Sequence, residues 1–200
     1  MQKIYFLILL LSMCSFGTIY SQGETSNWYF GQGAGLRFNN NGNVSALTDG
    51  KLFTVEGCTS ISDSDGNLLA YTDGITVYNK NHQVVQNGNG LYGDPSSTQS
   101  AIIVPKPADP NIYYIYTVDT SVNENDPDYG LNYSVLDISQ NGGNGAIVQK
   151  NINLLEDSTE KITGVIKDCF DQSIWVITLA SPNGSLGSYN TYHCFEVNAS

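Results

Sequence analysis

The stretch that decides the fold is Gly57–Val85, GCTSISDSDGNLLAYTDGITVYNKNHQVV. It contains four short β-prone runs separated by Gly, Asn or Asp: Cys58–Ser62, Leu68–Thr72, Ile75–Tyr78 and Gln83–Val85. Asp73-Gly74 is a dipeptide that tolerates the positive φ of a two-residue hairpin turn. The pattern predicts a four-stranded antiparallel meander, and strands this short and evenly spaced suit a propeller blade better than a long-stranded sandwich.

The same order of strands recurs twice further along the chain. Ile112–Val118 and Ile174–Leu179 correspond to the second strand of the first unit, and Leu131–Ile138 and Tyr189–Val197 correspond to its third. We therefore predict an all-β fold of repeated four-stranded antiparallel meanders, a partial β-propeller of about three blades in an open arc, with a β-sandwich of hairpins as the alternative. The units cover roughly residues 57–86, 100–153 and 161–200.

The last unit lacks a fourth strand, and closed propellers need about four to eight blades. We therefore expect residues 23–200 to be a propeller-like region that is incomplete at its C-terminus, the front of a longer protein with an exposed edge strand. Upstream of the first unit, Val44–Leu47 and Leu52–Val55 flank Asp49-Gly50. This spacing predicts a further hairpin that leads into the meander.

The first 22 residues have the pattern of a secretory signal peptide. Lys3 precedes an apolar run, Ile4–Leu11, and the small and polar residues of Ser12–Gln22 follow. A membrane-spanning helix needs about 20 apolar residues, and this run is much shorter. The sequence therefore predicts cleavage near residue 22 and a secreted or cell-surface location, with no membrane span after cleavage.

The charge of the chain limits the classes of partner that it can bind, and its cysteines, once the leader is removed, allow at most one disulfide. Without the leader the chain has seven basic and 19 acidic residues, a net charge of −12, and Arg37 is its one arginine. The phosphate backbone of a nucleic acid binds to basic patches, so nucleic acid is not expected as a partner.

Three cysteines remain after removal of the leader, Cys58, Cys169 and Cys194. All three lie in or beside apolar runs where free cysteine is common; if a disulfide forms, we expect Cys169 to pair with Cys194.

Several short motifs lie along the chain: Asn27-Trp28-Tyr29-Phe30-Gly31, Ala46-Leu47-Thr48-Asp49-Gly50, Glu56-Gly57-Cys58, Ser60-Ile61-Ser62-Asp63, Gly66-Asn67-Leu68-Leu69, Tyr71-Thr72-Asp73-Gly74, Asn81-His82 and Ser97-Thr98-Gln99-Ser100-Ala101-Ile102-Ile103-Val104-Pro105. Together they resemble the N-terminal propeller-like region of large exported Bacteroidetes surface proteins. Those proteins typically end in a gliding-motility-associated, type IX secretion sorting domain, which is not found in these residues. The resemblance implies export and a propeller-like scaffold, and it implies no established chemistry.

Catalytic patterns are sparse. His82 lies in an Asn-rich turn and His193 in a strand, and neither is near a nucleophile motif. Asp63, Asp65 and Asp73 cluster in one hairpin region, where a glycoside hydrolase would place paired carboxylates. Hairpin turns also require Asp and Gly, so turn formation is the simpler interpretation.

One acidic loop could bind calcium, which takes six to eight oxygen ligands. It contains Asn123, Glu124, Asn125, Asp126 and Asp128 but not the ligand spacing of an EF-hand, and a solvated polar loop is the alternative. No other cofactor is expected. Asp157-Ser158-Thr159 resembles the O-glycosylation acceptor of exported proteins from the same phylum.

These patterns favour an exported, non-catalytic binding or scaffold module that presents loops to a surface glycan or protein. The resemblance implies a link to gliding motility or adhesion. The alternatives are a fragment of a propeller-type carbohydrate-active enzyme and a purely structural spacer. The sequence alone does not separate binding from spacing.

Overall fold

The computed structural model describes residues 23–119 and 127–200, and within them the chain is all-β, which confirms the predicted class. Three short helical turns accompany the strands: Gly23–Thr25, Gly31–Gly33 and Gln140–Gly143. No helix in these two segments is long and apolar enough to cross a membrane. The strands are β1 Asn27–Tyr29, β2 Gly35–Phe38, β3 Val44–Leu47, β4 Thr59–Ser62, β5 Leu68–Thr72, β6 Thr76–Asn79, β7 Val84–Asn89, β8 Ala101–Pro105, β9 Ile112–Val118, β10 Leu131–Asp137, β11 Ala146–Leu155, β12 Ile162–Ile166, β13 Ile174–Ala180 and β14 Thr191–Val197.

The strands form a central sheet and two smaller ones. The central sheet has eight strands in the order β4-β5-β6-β7-β11-β10-β9-β8, and the smaller sheets are β1-β2-β3 and β12-β13-β14. Within the central sheet, β4–β7 and β8–β11 are two antiparallel meanders joined by one parallel residue pair, Gln86 with Ala146. Its end strands, β4 and β8, contact each other without pairing, so the sheet is nearly closed.

One predicted hairpin is wrong. Val44–Leu47 does form a strand, but it pairs with Gly35–Phe38, and Leu52–Val55 has no strand partner. Instead, the backbone amide of Val55 donates to the carbonyl of Pro95 at 3.2 Å, in the loop between the two meanders. Leu52 is buried against the first meander, so a distant loop and the core hold this segment rather than a local turn.

The structure also contains a unit that the repeat pattern did not include. Strands β1–β3 form a sheet of their own, and β1 lies beside β4. The Asn27 side-chain amide donates to Ser62 Oγ at 2.9 Å, and the Ser60 hydroxyl donates to the Asn27 carbonyl at 2.7 Å. Further along, β4 contacts β8 and β8 contacts β12. The first strands of the four successive units are therefore neighbours.

The hydrophobic cores lie between successive units. One core joins β1–β3 to the first meander through Tyr29 and Tyr71, a second joins the two meanders, and a third joins the second meander to β12–β14. Strand β9 contributes to two of them, because Ile115 belongs to the core between the meanders and Tyr116 to the next one. Successive residues of a strand point to opposite faces, so a strand buried on both faces reads as a nearly continuous apolar run.

Asparagine side chains fasten the two meanders where only one backbone pair joins them. Asn87 donates to the carbonyl of Ile147 at 3.1 Å, and Asn151 donates to the carbonyl of Gly90 at 2.9 Å. Asn79 donates in the same way to the carbonyl of Asn144 at 3.0 Å. Side-chain amides therefore replace the ladder hydrogen bonds that the outer strands do not make.

Two buried threonines provide a matched test of this hydrogen bonding. Thr117 Oγ1 has no partner, whereas Thr178 Oγ1 donates to the Lys161 carbonyl at 2.8 Å, and both residues are at most 2% exposed. Thr178→Val should lower the free energy of unfolding by about 1–3 kcal/mol, because a buried bond is lost. Thr117→Val should leave it unchanged or raise it. Urea denaturation measures both, and an equal loss in the two variants would contradict the assignment.

Candidate functional site

Loops that connect successive units converge at one end of the strands. In antiparallel units, the connections between units and the turn between the second and third strands lie at the same end. These connections are residues 90–100 between β7 and β8, 156–161 between β11 and β12, and 181–190 between β13 and β14. We call this the loop end of the molecule.

The segment Ser97–Ser100 ties the units together at the loop end. Both serines are completely buried, the Ser100 hydroxyl donates to the Asp73 carbonyl at 2.6 Å, and the Ser97 hydroxyl donates to the Val118 carbonyl at 3.3 Å. Gly74 must be glycine here, because its φ is +90° and a Cβ would lie 2.1 Å from Ser100 Oγ. One short segment thus joins the first meander to the second.

The middle of the same segment contacts the β11–β12 loop and the start of β12. Glu160 Oε2 accepts hydrogen bonds from the backbone amide of Thr98 at 2.8 Å and from its hydroxyl at 3.0 Å. The Gln99 side-chain oxygen accepts from the Ile162 amide at 3.2 Å, and Lys161 Nζ contacts the Thr98 hydroxyl. The β11–β12 loop is therefore held against Ser97–Ser100.

A cavity of about 700 Å³ opens between these loops, and we call it the loop cavity. Most of its lining residues carry hydroxyl, carboxylate or ammonium groups and one carries an aromatic ring, while apolar atoms make up the larger part of the exposed wall. The lining residues are Thr98, Asp128, Ser158, Thr159, Glu160, Lys161, Leu186 and Tyr189.

Backbone and side-chain contacts make the wall of the loop cavity rigid. The Tyr189 hydroxyl donates to Asp157 Oδ1 at 2.6 Å, and burial together with this carboxylate raises the pKa of Tyr189 well above its usual range. The Asp157 amide donates to the Gly184 carbonyl at 3.1 Å. Gly184 has φ +70°, and a Cβ there would lie 2.5 Å from Leu155 Cδ2. The two loops are thus locked to each other before any ligand binds.

Ser158 is buried beside this wall, at 4% exposure, and its hydroxyl has no hydrogen-bond partner. In the folded chain, the serine of the Asp157-Ser158-Thr159 motif is therefore enclosed rather than displayed. Most buried hydroxyls in proteins are hydrogen-bonded, so an unpartnered one beside a cavity needs an explanation.

The predicted calcium residues fall only partly within the described chain. Asn123, Glu124, Asn125 and Asp126 lie outside the described residues. Asp128 lines the loop cavity, and its Oδ1 accepts a hydrogen bond from the Gly130 amide at 2.8 Å. Within residues 23–119 and 127–200, no group of three or more His, Cys, Asp or Glu side chains could hold a metal ion.

The three clustered aspartates are not brought together as a pair of catalytic carboxylates. Asp63 accepts from the amides of Asp65 and Asn67 at 3.0 and 2.8 Å, in the turn before β5. Asp73 accepts from the amides of Ile75 and Thr76, in the turn after β5. The five residues of β5 separate them by roughly 17 Å, so each carboxylate stabilises its own turn.

The three cysteines of the described residues are free thiols. Cys169 is exposed in the turn between β12 and β13, and Cys194 is exposed within β14, opposite Ile177 of β13. The expected pairing of Cys169 with Cys194 is not formed in this structure. Cys58 is partly buried, and its thiol donates to the Tyr29 carbonyl at 3.3 Å.

His82 belongs to a polar network that sequence reasoning missed. The Tyr71 hydroxyl lies 3.0 Å from His82 Nδ1, and His82 Nε2 lies 3.2 Å from Asp49 Oδ2. The Tyr29 hydroxyl donates to Asp49 Oδ1 at 3.1 Å. Asp49 is 33 residues from His82 in the chain, so no local motif connects them. Tyr71 is fully buried, and the network links the β1–β3 unit to the first meander.

His193 has a simpler role. Its Nε2 lies 2.8 Å from the carbonyl of Ser181, across the β13–β14 connection. The histidine therefore stabilises the loop beside the loop cavity, and it does not line the cavity itself.

Comparison with protein-family models finds no match, and searches of curated proteins and of solved structures also return none.

The network around His82 can be tested with a pair of tyrosines. Tyr71→Phe should lower the free energy of unfolding at neutral pH by about 1 kcal/mol, because His82 loses its hydrogen-bond partner. Tyr78 stacks on Tyr71 at 5.2 Å, but its hydroxyl has no hydrogen bond within the described residues. Tyr78→Phe is therefore the control and should change the stability by less. Equal effects, measured by urea denaturation, would contradict the proposed link.

Tyr71 should also make the fold sensitive to alkali. Burial raises the pKa of Tyr71 to about 12, compared with about 10 in the unfolded chain. Its contribution to stability is therefore fully present below pH 10 and is lost as the pH rises to 12, by about 2 kcal/mol. Unfolding measured between pH 8 and 11.5 should show a steeper loss in the parent chain than in Tyr71→Phe. Parallel curves would show that Tyr71 does not titrate with the fold.

Proposed function

We propose that the chain is an exported, non-catalytic binding and scaffold module of the β-propeller type, located at the cell surface or in the medium. The observation that carries the architecture is the adjacency of the first strands, β1 to β4, β4 to β8 and β8 to β12. In a propeller, the first strand of every blade lies nearest the axis, so neighbouring blades meet there. The placement of a core between each pair of successive units supports the same arrangement.

Binding is supported by the position of the loop cavity. It lies where inter-unit loops from several units meet, and its wall is held by hydrogen bonds among 97–99, 156–161 and 181–190. Rigid scaffolds commonly carry their binding residues on such loops. Convergence of loops on a preformed cavity favours a binding module over a spacer, which needs no cavity.

An enzymatic role is less well supported. The turn aspartates Asp63 and Asp73 lie at opposite ends of β5 and are hydrogen-bonded within their own turns. The histidines bond to Tyr71, Asp49 and Ser181 rather than to an accessible nucleophile. These contacts explain the candidate residues without any reaction.

Export is supported by the leader pattern of the first 22 residues and by the resemblance of the later motifs to Bacteroidetes surface proteins. On this proposal the partners are a surface glycan or protein and further domains of the same protein. A role in adhesion or gliding motility follows from that resemblance alone.

Export has a direct test. The full chain with a C-terminal epitope is expressed in a Bacteroidetes host, beside a matched variant that lacks residues 1–22. The epitope of the full chain should be recovered outside the cytoplasm, in the periplasm, on the surface or in the medium, while the shortened variant should stay in the cytoplasm. Retention of both proteins in the cytoplasm would overturn the proposed location.

A further inference from the structure

We infer that the loop cavity binds a neutral oligosaccharide, with the ring of Tyr189 as the surface on which one sugar stacks. This inference rests on the proposed binding function and names the chemical class of the ligand. It is carried by the composition, rigidity and charge of the cavity wall.

The size and polarity of the cavity suit a sugar. Ligand sites in proteins are commonly about 300–1,000 Å³, and the loop cavity has about 700 Å³. Its one aliphatic lining residue, Leu186, is 87% exposed and offers little apolar enclosure. Hydroxyl, carboxylate and ammonium groups of Thr159, Glu160 and Lys161 offer both donors and acceptors. A polyhydroxylated ligand can use these donors and acceptors, and the C–H faces of its rings can pack on the apolar part of the wall.

Tyr189 provides an aromatic surface that is fixed in advance. The residue is 44% exposed at the cavity, and its hydroxyl is anchored on the buried carboxylate of Asp157 at 2.6 Å. The ring therefore cannot swing freely, and binding costs less side-chain entropy. A partly exposed aromatic face attracts the C–H groups of a sugar ring, while the surrounding polar groups fix the orientation of the ligand.

Ser158 supplies an unused hydrogen-bonding group in the same wall. Its hydroxyl is buried and has no partner in the free chain. In the proposed complex, rotation about χ1 to another staggered position turns this hydroxyl to a hydroxyl of the sugar. The free protein thus carries an unsatisfied group that a polyhydroxylated ligand can satisfy.

The charges of the wall exclude acidic sugars. Lys161 is the one basic side chain that lines the cavity in the described residues, and it already contacts Thr98. Asp128 and Glu160 line the same space. An anionic ligand would therefore meet more negative than positive charge, in a chain whose formal net charge is −11. The class of ligand is accordingly neutral.

Isothermal titration calorimetry of the exported chain tests the inference. The probes are neutral hexasaccharides of glucose, mannose and xylose, with hexagalacturonate as the acidic comparison. At least one neutral probe should bind, and hexagalacturonate should not. Tyr189→Ala should weaken the binding by at least ten-fold, whereas Tyr189→Phe, which keeps the ring, should weaken it less. Tyr192→Ala removes an exposed tyrosine of β14 that does not line the cavity and should have no effect.

Ser158→Ala keeps the test valid if Tyr189→Ala does not fold, as judged by its thermal unfolding. Because the Ser158 hydroxyl has no partner, its removal should not lower stability, and we expect about a five-fold loss of affinity. Binding that is unchanged in both variants would overturn the cavity as the site but leave a binding module. Binding of the acidic probe alone would overturn the class of ligand.

Failure of every probe to bind would overturn this inference. The proposed export is judged separately, by whether the epitope leaves the cytoplasm. An exported chain that binds no oligosaccharide would leave the scaffold function standing without this ligand.

Discussion

Burial of the inner strands on both faces is the constraint on which the rest of the structure depends. Ile115 and Tyr116 are neighbours in β9, yet they belong to the cores on opposite sides of the strand. A unit in the middle of the chain can bury both faces only if it lies between two other units. Each unit therefore depends on its neighbours for stability, and the order of the units in space follows their order in the chain.

Hydrogen bonds between polar side chains and backbone also join neighbouring units, in addition to the packing of their apolar faces. The chain has few charged residues, 14%, and its described units are joined mainly by uncharged side chains, such as Asn87, Asn151 and Ser100. An amide or hydroxyl can be buried when its hydrogen bonds are made, whereas a buried charge costs far more. This explains why asparagine and serine lie at the contacts between units. In most of these hydrogen bonds the acceptor is a backbone carbonyl.

The same hydrogen bonds between units also position the loop cavity. Ser97–Ser100 is bonded to the first meander through Ser100 and to the β11–β12 loop through Thr98, so the loops at that end have little freedom. A wall fixed in this way is ready to bind, and the unsatisfied hydroxyl of Ser158 is the local cost. The contacts that hold the units together therefore also hold the loops that form the proposed binding site.

Local signals were sufficient for most of the strands and turns of the meanders. In Asp63–Asn67 and at Asp73, the aspartate side chains accept hydrogen bonds from backbone amides two to four residues later in the chain. Contacts over so short a distance are determined by the local sequence. The all-β class and the positions of the second and third strands followed from these signals. The hairpin at Leu52–Val55 was wrong, because the carbonyl of Pro95 and the core hold that segment.

Tertiary structure alone decided which units meet and where a site forms. The Asp49–His82 contact spans 33 residues, Asp157–Tyr189 spans 32 and Thr98–Glu160 spans 62. Turn chemistry specifies how a strand begins and ends, but it carries no information on which sheet covers which face. That choice depends on the fit of complete apolar faces to one another, and it exists only once the sheets have formed.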